Sequence, residues 1–236
     1  MILSNKILEI NIYPISTGTS FFWSQTIKYY RGINSNRSNG DILNPPAFDF
    51  FIQEHLLEND HLFSRIETNL DHYISEIKKR EKLIPKEHRN FLLNYYRLYN
   101  IFSDLPQKEL KTLKDIVTTQ SQELIIELGL ELKVSEHHAW LNLLKTGEQA
   151  TRHCHVIKDE QSISWVLFLD NSDTLLNIEA PHFIHEEDEV KFNTYVKIKP
   201  QKGKLIFFPS WMFHFTNIHK EETPRLSIAG KVILSQ

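Results

Sequence analysis

Residues 202–215, KGKLIFFPSWMFHF, decide the fold. They run from a glycine turn through the apolar segment KLIFF into Pro209-Ser210-Trp211, then set His214 between Phe213 and Phe215. An imidazole bedded among aromatic side chains needs its nitrogens satisfied, because burying an unpaired polar group is costly. A backbone carbonyl can do this, and so can a metal ion.

Outward from this stretch the chain keeps a two-residue period, the spacing of strands with unlike faces. HHAWLNLL (137–144), HCHVI (153–157), SISWVLFL (162–169), TYVKIK (194–199), KLIFF (204–208) and RLSIAGKVI (225–233) all read as strands. Short strands joined by turn-rich connections predict a double-sheet jelly roll or a related barrel. Before residue 135 the period is helical. Leu62, Phe63, Ile66, Leu70, Tyr73, Ile74 and Ile77 predict a helix from Asp60, a second helix is expected over 87–100, and a third from Asp104. In the third, DLPQ supplies the capping signal, and Gly129 is the stop. The opening MILSNKILEINIYP reads as a first strand, and residues 17–47 as loop chemistry with room for a short strand. The expected architecture is mainly β with flanking helices, a single domain over 1–236. Residues 1–135 supply the N-terminal strand, loop and supporting helices, and 136–236 form the β core that carries the site.

The 236 residues are 41% hydrophobic, enough for one sizeable core. A formal net charge of -3, with acidic and basic residues interspersed, argues against a nucleic-acid partner. The lone Cys154 excludes an internal disulfide and a multi-cysteine zinc site, and suits a reducing, cytoplasmic setting. Lys6 and Glu9 break the apolar core that a secretory leader needs, and the longest apolar run, LIFFPSWMFHF, is too short to span a bilayer. No membrane segment is expected.

Three features of the strand-rich half belong together. In His153-Cys154-His155, residues two apart on a strand share a face, so both imidazoles could converge on one ion. His214 is the second feature. The third is Arg225-Leu226-Ser227, in which a guanidinium and a hydroxyl share a face and form a fork suited to a carboxylate. Taken singly, each has a plainer reading: edge-strand histidines, an imidazole bonded to a carbonyl, an arginine paired with Glu221 or Glu222.

Together, His-x-His, then Gly-x-Leu-x-x-Phe-Pro, then His214, ten residues and Arg-x-Ser resemble the double-stranded β-helix of the 2-oxoglutarate and iron(II)-dependent oxygenases. The similarity covers roughly residues 137–233 and is greatest to the prolyl-hydroxylase-like oxygenases of bacteria and marine phages; WLNLLKTGEQATRHCH also fits that group. The resemblance implies a cupin-like jelly roll with Fe(II) held by His153, His155 and His214. It also implies 2-oxoglutarate gripped by Arg225 and Ser227 with Asn142 as a further contact, and O2 as co-reactant. No catalytic residue beyond the metal ligands is implied. The expected activity is hydroxylation of a peptide or small molecule, with release of succinate and CO2. One position departs from the family pattern, because the usual ligand set is two histidines and a carboxylate and His155 stands where the acid should be. His155 can be a third neutral ligand; Asp159, Glu160, Glu179 or Glu186 can replace it; or the site is degenerate. The three-histidine site is preferred, since strand alternation already aims both side chains at one place. His182 and His185 are assigned to a lid or loop. Two rival functions stay open: a three-histidine cupin-type dioxygenase that needs no 2-oxoglutarate, and a non-catalytic jelly-roll binding protein.

Overall fold

The computed structural model describes residues 23–32, 50–81, 100–105, 107–157, 160–179, 184–186, 189–191 and 195–236. In chain order these form β1 (Trp23–Gly32), β2 (Phe50–Leu57), α1 (Asp60–Glu81), α2 (Ile101–Asp104), α3 (Lys108–Glu127), β3 (Lys133–Leu144), β4 (Gln161–Phe168), β5 (Leu176–Glu179), β6 (Ile184–Glu186), β7 (Glu189–Lys191), β8 (Tyr195–Ile198), β9 (Lys204–Pro209), β10 (His214–Thr216) and β11 (Arg225–Ser235). The expected strand at 1–14, residues 87–99 of the expected helix and His182 lie outside the described residues.

A six-stranded antiparallel sheet, β1-β2-β9-β4-β11-β3, faces a smaller sheet, β10-β5-β8, and β6 pairs with β7. This is the mainly β, two-sheet architecture expected from the strand pattern, and the double-stranded β-helix that the resemblance implies. In the large sheet β4 is central, and all but its first residue are buried, so it reads as one apolar run rather than as an alternating strand. One face of the large sheet carries the helices. Trp165 of β4 stacks on Phe102 of α2 with ring centroids 5.9 Å apart. On the same face Gln53 of β2 reaches Glu127 of α3 at 3.4 Å, and His137 of β3 meets Thr118 of α3 at 3.0 Å. The opposite face looks into the barrel. There Ser164 bonds Ser210 at 2.9 Å, Phe208 lies 4.9 Å from His214, and Trp140 lies 5.2 Å from His155.

Glycine is required where the two layers crowd the backbone. A Cβ on Gly230 of β11 would sit 2.3 Å from the His138 carbonyl oxygen and 2.6 Å from the Trp165 ring. Gly203 turns the chain into β9 at φ +86, where a Cβ would meet the Leu57 carbonyl oxygen at 2.6 Å.

Several expectations are corrected. HCHVI is not a strand: His153 makes an isolated antiparallel bridge with His214, and 154–157 are irregular. The third helix begins at Lys108 rather than near Asp104, because Leu105 leaves helical geometry (φ -123, ψ 98) just before Pro106. Asp104 instead accepts from Asn100 N–H at 2.9 Å, closing the short α2. The helix does end at Gly129, whose φ of 69 reverses the chain while Leu130 N–H bonds the Ile125 carbonyl at 3.1 Å. β1 takes the place left for a short strand within 17–47, and β2, β5, β6, β7 and β10 fall outside the strands that the sequence pattern predicts.

Candidate metal centre

Backbone hydrogen bonds set the three histidines before their side chains meet. His153 N–H bonds His214 O at 3.1 Å, His214 N–H bonds His153 O at 2.8 Å, and His155 N–H bonds Ser210 O at 2.9 Å. The segment around His153 thereby lies beside β10 at the edge of the small sheet. His155 is carried toward the same point by the turn that follows Pro209. The ring centroids lie 4.3 Å apart for His153–His214, 5.0 Å for His153–His155 and 5.0 Å for His155–His214. One ring nitrogen from each lies within 4.8 Å of the others.

Two of the rings have their tautomer defined. His153 Nδ1 lies 2.6 Å from the Thr151 carbonyl oxygen and His214 Nδ1 lies 3.0 Å from that of Met212. A carbonyl only accepts, so Nδ1 carries the proton in each and Nε2 keeps its lone pair. Burial, which disfavours the imidazolium, lowers all three pKa values: His214 to about 3, His153 below its ordinary value, and His155 well below it. The rings are neutral at neutral pH, the form that ligates a metal. Geometry, tautomer and charge therefore all fit a divalent ion of the kind imidazole favours.

The alternative carboxylates are engaged elsewhere. Glu160 accepts from Lys231 Nζ at 2.6 Å, and Glu179 accepts from Arg152 Nη2 at 2.7 Å in a two-point fork. Asp159 and the side chain of Glu186 lie outside the described residues. Among the described residues, the cluster that could hold an ion contains only imidazoles.

On the inner face of the large sheet, β11 pairs with β3 so that Ser227 stands opposite Asn142 and Arg225 opposite Leu144. Asn142 Nδ2 is 3.5 Å from Ser227 Oγ, at the limit of a hydrogen bond. Arg225 is only 4% exposed, with its guanidinium 5.2 Å above the Phe168 ring and its buried Nε without a partner. Among the described residues, no carboxylate lies within ion-pair distance of it. Burial lowers its pKa to about 10, while the charges of Asp170 and Glu221 act at longer range in the opposite sense. A buried cation with idle donors is costly unless an anion completes it. Arg225, Ser227 and Asn142 thus stand together on one face, where an anion could accept from their donors.

The aromatic residues divide between the two faces. Phe208 lies against His214, whereas Phe207 turns to His55 (5.8 Å) and Trp165 to Phe102, so neither lines the cavity. Two contacts go beyond what the sequence motifs predict. Trp140 packs beside His155, and Lys231 is a buried lysine on the face that Arg225 and Ser227 share. Carrying the alternation 225, 227, 229 one step further would have found Lys231.

Comparison with known proteins agrees with this geometry. Residues 138–230 match the family described as "Putative 2OG-Fe(II) oxygenase". Among solved structures, AviO1 from Streptomyces viridochromogenes Tue57 aligns over 77% of this chain and 89% of its own, with 11% identity and a TM-score of 0.55. A prolyl-4-hydroxylase from Pseudomonas putida aligns over 83% and 92%, with 15% identity and a TM-score of 0.46. A prolyl hydroxylase from Trichoplax adhaerens, in complex with a hypoxia inducible factor peptide fragment, aligns over 57% and 60%, with 16% identity and a TM-score of 0.42. No curated protein matches the chain. The family's description names iron(II) and 2-oxoglutarate together, the metal and cosubstrate expected from the sequence.

Proposed function

We propose, from the match of residues 138–230 to the family described as "Putative 2OG-Fe(II) oxygenase", that His153, His155 and His214 hold Fe(II) in an oxygenase that hydroxylates a carbon of a peptide or small molecule. The observation that carries the reading is the meeting of three buried imidazoles within 4.8 Å, two of them with Nδ1 bound to a carbonyl.

Iron, when bound, supplies the oxygen activation: O2 and 2-oxoglutarate are consumed, succinate and CO2 leave, and one oxygen atom enters the substrate C–H bond. The chain's own part is orientation. Arg225 and Ser227 grip the far carboxylate of 2-oxoglutarate from β11, and Asn142 flanks them on β3. Phe168 beneath Arg225 and Phe208 beside His214 keep water from the reacting centre. The carbonyls of Thr151 and Met212 hold two rings in the ligating tautomer. Three neutral imidazoles would leave a bound divalent ion's charge uncompensated by the protein, so the binding of metal and 2-oxoglutarate should be strongly coupled. Among the described residues no helix is long and apolar enough to cross a membrane, and a cytoplasmic setting suits the single cysteine.

The test is metal-linked stability. Protein prepared without oxygen should unfold at a higher temperature when Fe(II) is added, and higher again with 2-oxoglutarate. Both increments should vanish in H214A, and the wild type should release succinate in air. A wild-type protein that neither gains stability with Fe(II) nor releases succinate would sink the proposal in favour of a non-catalytic jelly roll.

A further inference from the structure

Lys231 is 2% exposed and among the described residues makes one hydrogen bond, to Glu160, although an ammonium has three donors. It lies on β11 six residues beyond Arg225, on the same inner face, about 20 Å along the strand. Its register partners are His138 on β3 and Ser164 on β4. Ser164 bonds Ser210, whose carbonyl accepts from His155 N–H, so residues beside Lys231 on the inner face lead directly to the histidine cluster. Among the described residues the inner face has two buried cations, Arg225 and Lys231, with the histidine cluster set off toward Lys231. Arg225 marks the cosubstrate end, and Lys231 marks the other.

A count of charges says what that end lacks. Relative to the same barrel with a carboxylate ligand, His155 leaves the interior one unit more positive. Glu160 offsets Lys231 but not this extra unit, and Asp170 lies at the Arg225 end, where its Oδ2 accepts from Leu226 N–H. The place where a further negative charge would find protein donors already waiting is the ammonium of Lys231.

Resting on the oxygenase reading above, we propose that Lys231, steadied by Glu160, binds a carboxylate of the primary substrate, so that the substrate is an acid. The pair is more than a structural tie, since a tie would leave neither donors idle nor an excess of charge beside it. Glu160 keeps the ammonium extended toward the cavity and moderates its affinity, so that product can leave.

Acetate is the probe, observed by saturation-transfer NMR on protein loaded with Zn(II) and saturated with 2-oxoglutarate, which blocks the Arg225 end. Wild type should bind acetate and not acetamide. The neutral pair K231M/E160Q, chosen because it leaves no orphaned buried charge, should bind acetate at least roughly tenfold more weakly with 2-oxoglutarate affinity unchanged. E160Q alone should bind acetate more tightly. Acetate binding that survives in K231M/E160Q overturns the proposal. A wild type that takes 2-oxoglutarate but no acetate overturns the anion site and leaves the oxygenase reading standing. One that takes acetate through Lys231 but never 2-oxoglutarate does the reverse.

Discussion

At the scale of single residues, Arg225 separates the candidate chemistries. Its guanidinium is buried without a carboxylate in ion-pair range among the described residues. A hydrogen bond to a charged group contributes about 1.5–3 kcal/mol, so loss of a two-point grip should cost at least roughly 100-fold in affinity. R225A is expected to raise the KM for 2-oxoglutarate by that factor while Fe(II) binding is retained, as measured by succinate release and metal content. Oxygen uptake that proceeds without 2-oxoglutarate and ignores R225A would point to the three-histidine cupin instead. The residues of this site were legible because each belongs to a spacing: His153 with His155, His214 after the proline, Arg225 with Ser227. Which second interaction each would make was not. The carbonyls of Thr151 and Met212 that orient the imidazoles carry no signature, since every residue has one. Glu160 and Glu179, open as ligands on the sequence alone, are claimed by Lys231 and Arg152.

Elements show how the site is braced. β3 is an edge strand of the large sheet, and an edge needs covering. Asn100 does this with one side chain: its Oδ1 accepts from Phe102 N–H at 3.1 Å and Ala139 N–H at 3.2 Å, and its Nδ2 donates to the His137 carbonyl at 2.6 Å. It caps α2 and holds β3 at once. N100A should therefore destabilise the fold by about 1–3 kcal/mol, read as a lower denaturant midpoint, and N100D should recover part of the loss through the accepting oxygen. The strand pattern was visible wherever one face is apolar and the other polar. It misled at HCHVI, where the two histidines reach one point without a continuous strand beneath them: His153 is placed by its bridge to His214, and His155 by Ser210. The two imidazoles that strand alternation brings together do lie close to one another, but the bridge and the Ser210 bond place them rather than alternation.

For the molecule as a whole, buried imidazoles tie stability to pH. His55 and His137 are each lowered to about 4, chiefly by burial. The unfolded chain binds their protons near 6.5 and the folded chain near 4, so their contribution is complete above 6.5 and is lost as pH falls toward 4. Glu123 and Glu127, raised by burial, act in the opposite sense and blunt the loss. The unfolding temperature should fall as pH drops from 6.5 to 4. H55F keeps the ring against Phe207 without a titrating nitrogen, and should flatten that decline; an unchanged slope would remove His55 from the account. The sequence by itself determined the architecture and the chemical alphabet of the site, because apolar periodicity and residue spacing are local properties that burial and strand geometry act on directly. Only the tertiary structure decided which side chains share a face across strands far apart in the chain. It turned Trp165 and Phe207 to the face that carries the helices, left Arg225 with no carboxylate in ion-pair range among the described residues, and brought Lys231 of the last strand to Glu160 just before β4. Such choices depend on register and on what each neighbour already holds, and a single line of residues does not specify either.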